Sequence, residues 1–140
     1  MHITYSPEDG DRQEWDFNPD RVRQSVAEVI ERRFGGTWDE FKAGVQSGSM
    51  RARRALLWHL LSLQHPTLRY EDTPDFFAGE LKVQFSVTEL TELRELTLKA
   101  NLSAEKREMA LTAIDFEMSE AMAREESGKV SSEISAANGG

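Results

Sequence analysis

The sequence predicts a mainly α-helical fold with a small N-terminal β-hairpin (α+β): a compact helical domain, then a long C-terminal amphipathic helix and a flexible tail. Helix-capping residues precede most of the apolar runs, and apolar residues recur every three or four positions within them. Eleven of the twelve aromatic residues lie before Ser86, whereas three of the five methionines lie between Met109 and Met122. Large shaped core residues and adaptable apolar residues are therefore separated along the chain.

The first residues are rich in β-formers. Residues 2–6 and 13–17 flank a turn-prone stretch, a pattern that predicts a β-hairpin. Asn18 and Pro19 then favour a helix start, because an Asn side chain caps free amides and Pro suits the first helical position. We expect this helix to continue to about Phe34 and to stop at the glycine pair that follows.

Two further helices are expected before the middle of the chain. Thr37 and Glu40 form a capping box, which predicts a short helix ending near Gly48. Residues 50–64 are almost continuously apolar after their first turn, which is typical of a helix buried on most sides. This third helix is the predicted centre of the core, and Pro66 ends it.

The second half of the chain begins with a loop. One helical turn in this loop is expected to carry Phe76 and Phe77, and residues 81–85 alternate as a third strand would. A capping box formed by Ser86 and Glu89 predicts a helix to about residue 100. Ser103 caps a last helix that is expected to end at about residue 127.

The length of 140 residues fits one domain with a tail and leaves too little chain for two large cores. Residues 128–140 are small and polar, which is typical of a flexible tail. We therefore divide the chain into a helical core domain with the N-terminal hairpin (1–100), an amphipathic helix packed on that core or extending from it (101–127) and the tail (128–140).

Charge and composition exclude several classes of protein. The formal net charge is −8, and all of it arises after Tyr70, where 15 Asp/Glu face 7 Lys/Arg. An acidic surface repels phosphate backbones, so no nucleic-acid partner is expected. The longest apolar run is about half the ~20 residues that span a bilayer, and no secretory signal is visible, so neither membrane association nor export is expected. The chain has no cysteine, which fits a reducing cytoplasm.

The titratable residues form no recognisable catalytic pattern. His59 and His65 are six residues apart, on opposite sides of a helix, and neither they nor His2 fit a zinc motif. The carboxylate pairs, Glu71-Asp72 and Glu125-Glu126, fall in segments expected to be solvated. The sequence thus predicts a protein that is not an enzyme and that has neither a cofactor nor a metal.

Arg51, Arg53 and Arg54, with Arg69 nearby, form a short basic cluster. It is either a small nucleic-acid patch or a set of ion-pair partners for the acidic second half. The absence of interleaved aromatics and the negative net charge favour ion pairing.

An apolar stripe on the last helix is the pattern most suggestive of function. Leu111, Ile114, Met118 and Met122 are spaced by 3, 4 and 4 residues, and further apolar residues widen the stripe. The simplest interpretation is core packing; the functional alternative is a helix that binds a partner. The candidate partner-binding residues are Met109, Phe116, Met118, Met122, Phe76 and Phe77.

Three motifs between residues 37 and 96 carry a family resemblance. They are Trp38-Asp39-Glu40-Phe41, the core helix around Ala55-Leu56-Leu57-Trp58-His59-Leu60-Leu61, and the acidic aromatic loop from His65 to Phe76. In these the chain resembles the tail assembly chaperones of long-tailed actinobacterial phages and prophages. These chaperones diverge widely and have no invariant functional residues, so the resemblance assigns no residue a role.

The resemblance implies a small acidic helical chaperone that coats the tape-measure protein and helps tail-tube protein assemble around it. It also implies the host cytoplasm as location, absence from the mature virion, a longer frameshifted form of the same chain as partner, and assembly in several copies. The alternative is a virion structural protein, such as a head–tail connector or a minor tail component.

Overall fold

A computed structural model describes the backbone of residues 1–138 and the side chains of residues 1–128. The predicted fold class is confirmed, because helices dominate and a small sheet lies near the N-terminus. In chain order the elements are β1 (His2–Tyr5), β2 (Gln13–Asp16), α1 (Gln24–Phe34), α2 (Trp38–Ser47), α3 (Met50–Gln64), β3 (Leu81–Gln84), α4 (Val87–Lys99) and α5 (Ala104–Asn138).

The chain forms two compact units, Met1–Val83 and Gln84–Gly140. The sequence predicts that the helix ending near residue 100 belongs to the first domain, whereas contacts group α4 with α5 in the second unit. The reason is packing: buried Leu90 of α4 clusters with Ile114 of α5. The contacts thus divide the chain after Val83, and the domain boundary at residue 100 stays a prediction.

The sheet of the first unit has the strand order β2-β1-β3. β1 and β2 pair antiparallel with Ile3 opposite Trp15, as the predicted hairpin requires. The amide of Ser6 donates to the carbonyl of Glu80 at 2.8 Å, so the end of β1 lies beside the start of β3. The third strand predicted from alternation is thus present, and it pairs with the first strand.

The first predicted helix is broken near its start. Asn18 caps as expected, since its side chain accepts from the Asp20 amide, but the helical turn at Pro19–Arg21 ends at Val22, which has an extended backbone. The carbonyl of Pro19 would accept from residue 23 in a continuous helix, yet it accepts from the Trp38 indole at 3.2 Å. α1 therefore begins only at Gln24.

Helices α1 and α2 stop where the sequence predicts. Gly35 and Gly48 have φ angles of 85° and 87°, a conformation that costs a glycine little and other residues more. The Thr37 hydroxyl accepts from the Glu40 amide at 3.2 Å, and Ser49 caps α3 in the same way.

The third helix lies at the centre of the first unit's core. Its fully or nearly fully buried residues are Ala52, Ala55, Leu56, Leu57, Leu60 and Leu61. They pack with the buried faces of β1, α1 and α2, including Ile3, Ile30 and Phe41. Helices α2 and α3 approach closely at Gly44, where a Cβ atom would lie 2.9 Å from that of Ala52.

The loop after α3 differs from the prediction. Helical turns form at Tyr70–Asp72 and Ala78–Glu80, and neither contains Phe76 or Phe77. The Thr73 hydroxyl donates to the Tyr70 carbonyl at 2.8 Å and closes the first turn. Capping by the Glu80 carboxylate, which accepts from the Phe77 amide at 2.7 Å, opens the second.

The last helix extends beyond its predicted end near residue 127. The backbone of α5 is helical from Ala104 to Asn138 and passes through Gly128. A glycine inside a helix costs about 1 kcal/mol relative to alanine, which lowers stability without ending the helix. The flexibility expected of residues 128–140 stays a prediction, because the side chains from residue 129 onward lie outside the described residues.

Candidate functional site

Helices α4 and α5 form a hairpin that is closed along one face of each helix. The buried residues Leu90, Ile114 and Ala121 form its small core. Phe85, Val87, Leu93 and Met118 pack against that core and are themselves partly buried. We call Ile114, Met118 and Ala121 the inner face of α5.

Polar contacts fix the hairpin at its turn, its middle and its open end. The Arg107 guanidinium donates to the carbonyls of Ala100 and Leu102 at 3.0 and 3.4 Å, which holds the turn. Arg94 Nε lies 2.9 Å from Asp115 Oδ1 in the middle.

At the open end of the hairpin, α5 bonds to the backbone at the start of α4. The Arg124 guanidinium donates to the Phe85 carbonyl at 3.2 Å, and the Glu125 carboxylate accepts from the Val87 amide at 3.1 Å. On α5, the side chains that make these contacts are Arg107, Asp115, Arg124 and Glu125. Met109, Ala113 and Phe116 take no part in them.

The predicted apolar stripe is divided between two faces of α5. Met118 belongs to the inner face, whereas Met109 and Phe116 are 69% and 66% exposed. We call Met109, Ala113 and Phe116 the outer face of α5. Met122, which is 52% exposed, lies between the two faces. Core packing and a free apolar surface, stated as alternatives from the sequence, are therefore both present on the same helix.

Three leucines near the hairpin turn are exposed, and the sequence pattern did not predict this. Leu96, Leu98 and Leu102 are 66%, 48% and 37% exposed. The sequence held a signal, because Leu96 and Leu98 are two residues apart and cannot share one face of a helix. With these leucines, the second unit carries six of the nine large apolar residues found exposed in the described part of the chain.

Unpaired carboxylates surround the outer face of α5. The side chains of Glu105, Glu108, Glu117 and Glu120 are exposed, and their carboxylates make no hydrogen bond or ion pair within residues 1–128. The cations on this side of α5 are Lys106, which is also exposed, and Arg124, which donates to the Phe85 carbonyl. This part of the second unit therefore combines apolar side chains with a local excess of negative charge.

The two candidate phenylalanines of the first unit differ in exposure. Phe76 is partly buried, and its ring lies edge-on to the Tyr5 ring with centroids 6.4 Å apart. Phe77 is 68% exposed. Of this pair, Phe77 is the one with a side chain available to a partner.

The arginine cluster is engaged within the first unit. Arg53 donates to the Val45 carbonyl at 3.2 Å, Arg51 lies over the Phe34 ring at 5.0 Å, and Arg54 lies over the Tyr70 ring at 4.6 Å. Arg69 pairs with Asp72. Asp72 is one of the acidic residues that follow Tyr70, so the Arg69 pair agrees with the predicted ion pairing. The contacts of Arg51, Arg53 and Arg54 named here are instead with residues inside Met1–Val83.

His59 packs inside the first unit, where its ring lies edge-on to that of Phe17 with centroids 5.9 Å apart. Burial lowers the pKa of His59, because desolvation disfavours the imidazolium. Among the described residues, no group of three or more His, Cys, Asp or Glu is arranged to hold a metal ion. No helix in the same residues is long and apolar enough to cross a membrane.

Comparison of the chain with protein-family models, with curated proteins and with solved structures gave no match.

Proposed function

We propose that this protein is a tail assembly chaperone of a long-tailed phage, and that it binds apolar helical segments of the tape-measure protein without catalysing a reaction. The proposal rests on the motif resemblance between residues 37 and 96. The structural observation that supports it is the concentration of exposed apolar side chains on the α4–α5 hairpin, in which three apolar residues are buried among those up to residue 128. Exposed apolar surface of this kind marks protein interaction sites.

The mechanism is burial of the client's apolar stripes. Each Å² of apolar surface removed from water contributes about 25 cal/mol, so covering the exposed side chains of Met109 and Phe116 stabilises the complex. The acidic side chains around them remain in water and keep the complex soluble. Several copies bound along one extended client hold it soluble until tail-tube subunits assemble around it.

The longer form implied by the resemblance is part of this proposal. A ribosomal frameshift would append a second sequence to the same chain, and the shorter and longer forms would act together on one client. The nucleotide sequence of the gene tests this point: a slippery run with an overlapping open frame supports it, and the absence of both contradicts it.

The deciding experiment is co-expression with the tape-measure protein of the phage or prophage that encodes this chain. We expect the client to be soluble and to co-purify with the wild-type chain, and to become insoluble when Met109 and Phe116 are both changed to Ser. Leu63→Ser is the matched control, since Leu63 is 62% exposed but lies on α3. A client whose solubility does not depend on the chaperone overturns the proposal.

Mass spectrometry of purified particles provides an independent test. An assembly chaperone leaves before the tail is complete, so its peptides should be absent from mature virions. Stoichiometric recovery in the particle would instead indicate the alternative, a head–tail connector or minor tail component.

A further inference from the structure

The outer face of α5 is turned away from the hairpin. Phe116 is two residues from both Ile114 and Met118, about 200° around the helix at 100° per residue, so it points away from the packed side. Met109 and Phe116 are seven residues apart, which places them about 10.5 Å apart along the same side. Ala113 lies between them and is small, so a second helix can approach closely there.

Charge on this side of α5 is strongly one-sided. Glu105 lies four residues before Met109 and Glu120 four residues after Phe116, positions that share a helix face. Glu108 and Glu117 border the same face, as do two cations, Lys106 and Arg124, of which Arg124 donates to the Phe85 carbonyl. None of the four carboxylates is neutralised within the described residues.

We propose that the outer face of α5 binds an amphipathic helix whose apolar residues lie two turns apart and are flanked by Lys or Arg. This inference rests on the proposed function and specifies which tape-measure segments are recognised. Apolar contact with Met109 and Phe116 supplies affinity, and the flanking carboxylates select basic partners over neutral or acidic ones.

A second copy of this chain is a poorer occupant. The second unit holds 11 Asp/Glu and 6 Lys/Arg, a formal charge of −5, so two such units brought together repel each other. A basic helix is instead attracted by the negative charge of the second unit. Because the carboxylates are exposed, the selectivity must weaken as salt screens them.

The test uses the full-length chain and three labelled synthetic helical peptides of about 20 residues with Leu at positions i, i+3 and i+7. The first peptide has Lys flanks, the second Glu flanks, and the third is a scramble of the first. Fluorescence anisotropy at low salt should show the Lys peptide binding about tenfold more tightly than the other two, with the difference shrinking as salt is added.

Variants assign the binding to the outer face. Phe116→Ser should weaken binding of the Lys peptide about tenfold. The control Leu63→Ser, at a similarly exposed position, should not change that binding. Glu117→Lys with Glu120→Lys should reverse the preference between Lys and Glu peptides. Asp9→Lys with Asp11→Lys makes the same change in net charge in the first unit, and there the preference should remain.

Three results would overturn the inference. The first is equal binding of the Lys and Glu peptides, and the second is equal binding of the Lys peptide and its scramble. The third is a dimer, seen by sedimentation, that Phe116→Ser dissociates and the Lys peptide does not, because the occupant would then be a second copy.

The two proposals fail separately. If the Lys peptide binds the outer face but the tape-measure protein does not co-purify, the chaperone function fails and the peptide selectivity stands. If the tape-measure protein co-purifies equally with wild type and Phe116→Ser, the outer face is not the client site, whereas the chaperone function stands.

Discussion

Arginine side chains tie backbone segments together in both units. Arg53 donates to the Val45 carbonyl in the last turn of α2. Arg107 donates to the carbonyl of Ala100, the C-cap residue of α4. Carbonyls at helix ends lack intrahelical partners, and the planar guanidinium offers several donors to reach them. The positive charges of these arginines are thereby used for local structure.

His59 gives the stability of the first unit a pH dependence. Its pKa is lowered from 6.5 in the folded chain, so the unfolded chain binds the proton more readily. The contribution of His59 is therefore fully present above about pH 6.5, is lost as the pH falls below that value, and levels off beneath the folded-state pKa.

We expect the urea midpoint of the wild-type chain to fall more steeply than that of His59→Gln between about pH 7 and about pH 5. Tryptophan fluorescence is the measurement, since all three tryptophans lie in the first unit. His65→Gln, at an exposed position, is the control and should keep the wild-type slope. Equal slopes for wild type and His59→Gln would show that His59 is not the titrating group.

At the scale of elements, features set by residues close in the sequence were predicted, whereas features set by a distant residue were not. The caps at Thr37, Ser49 and Ser86 are correct because each involves residues three apart in sequence. The break before α1 was not predictable, because the Pro19 carbonyl is taken by Trp38, 19 residues away.

The candidate site was predicted only in part, again because a tertiary contact decides what the sequence pattern leaves open. Apolar spacing identified α5 as amphipathic, but spacing does not tell which of two apolar faces a neighbouring helix will cover. Leu90 of α4 settles this by packing with Ile114, so that Met118 is packed and Phe116 is free. The exposed leucines of α4 were missed because that helix was assigned to the core domain.

The capping box at the start of α4 should control local opening of the hairpin. The Ser86 hydroxyl accepts from the Glu89 amide at 3.1 Å, and the Glu89 carboxylate accepts from the Ser86 amide at 3.0 Å. Loss of an N-cap costs about 1 kcal/mol, so Ser86→Ala should speed hydrogen exchange of the first α4 amides by about fivefold.

Ser119→Ala is the control for this measurement, because Ser119 is exposed on α5 and its hydroxyl makes no hydrogen bond in the described residues. Unchanged exchange at the Glu89 and Leu90 amides in Ser86→Ala would mean that the cap does not limit opening of this end.

At the scale of the whole molecule, the two units have separate apolar clusters. Among the residues whose side chains are described, the first contains fourteen buried residues around α3, and the second contains three. No described residue belongs to both clusters. The stability of each unit is expected to respond to its own substitutions.

We expect Leu57→Ala, at a fully buried position, to destabilise the first unit by about 2–5 kcal/mol and to lower the fluorescence midpoint accordingly. Ile114→Ala should leave that midpoint unchanged and lower the helical circular dichroism of the hairpin on mild heating. Fluorescence midpoints that shift equally in both variants would indicate one cooperative unit instead of two.

The polar contacts of the hairpin also order its assembly. Arg107 reaches back 7 residues to Ala100, Arg94 and Asp115 are 21 residues apart, and Arg124 reaches back 39 residues to Phe85. The conformational entropy lost on closing a loop rises with the number of residues enclosed. The turn is thus the least costly contact to form, and each later contact encloses the one before it, so we expect the second unit to close from its turn toward its open end.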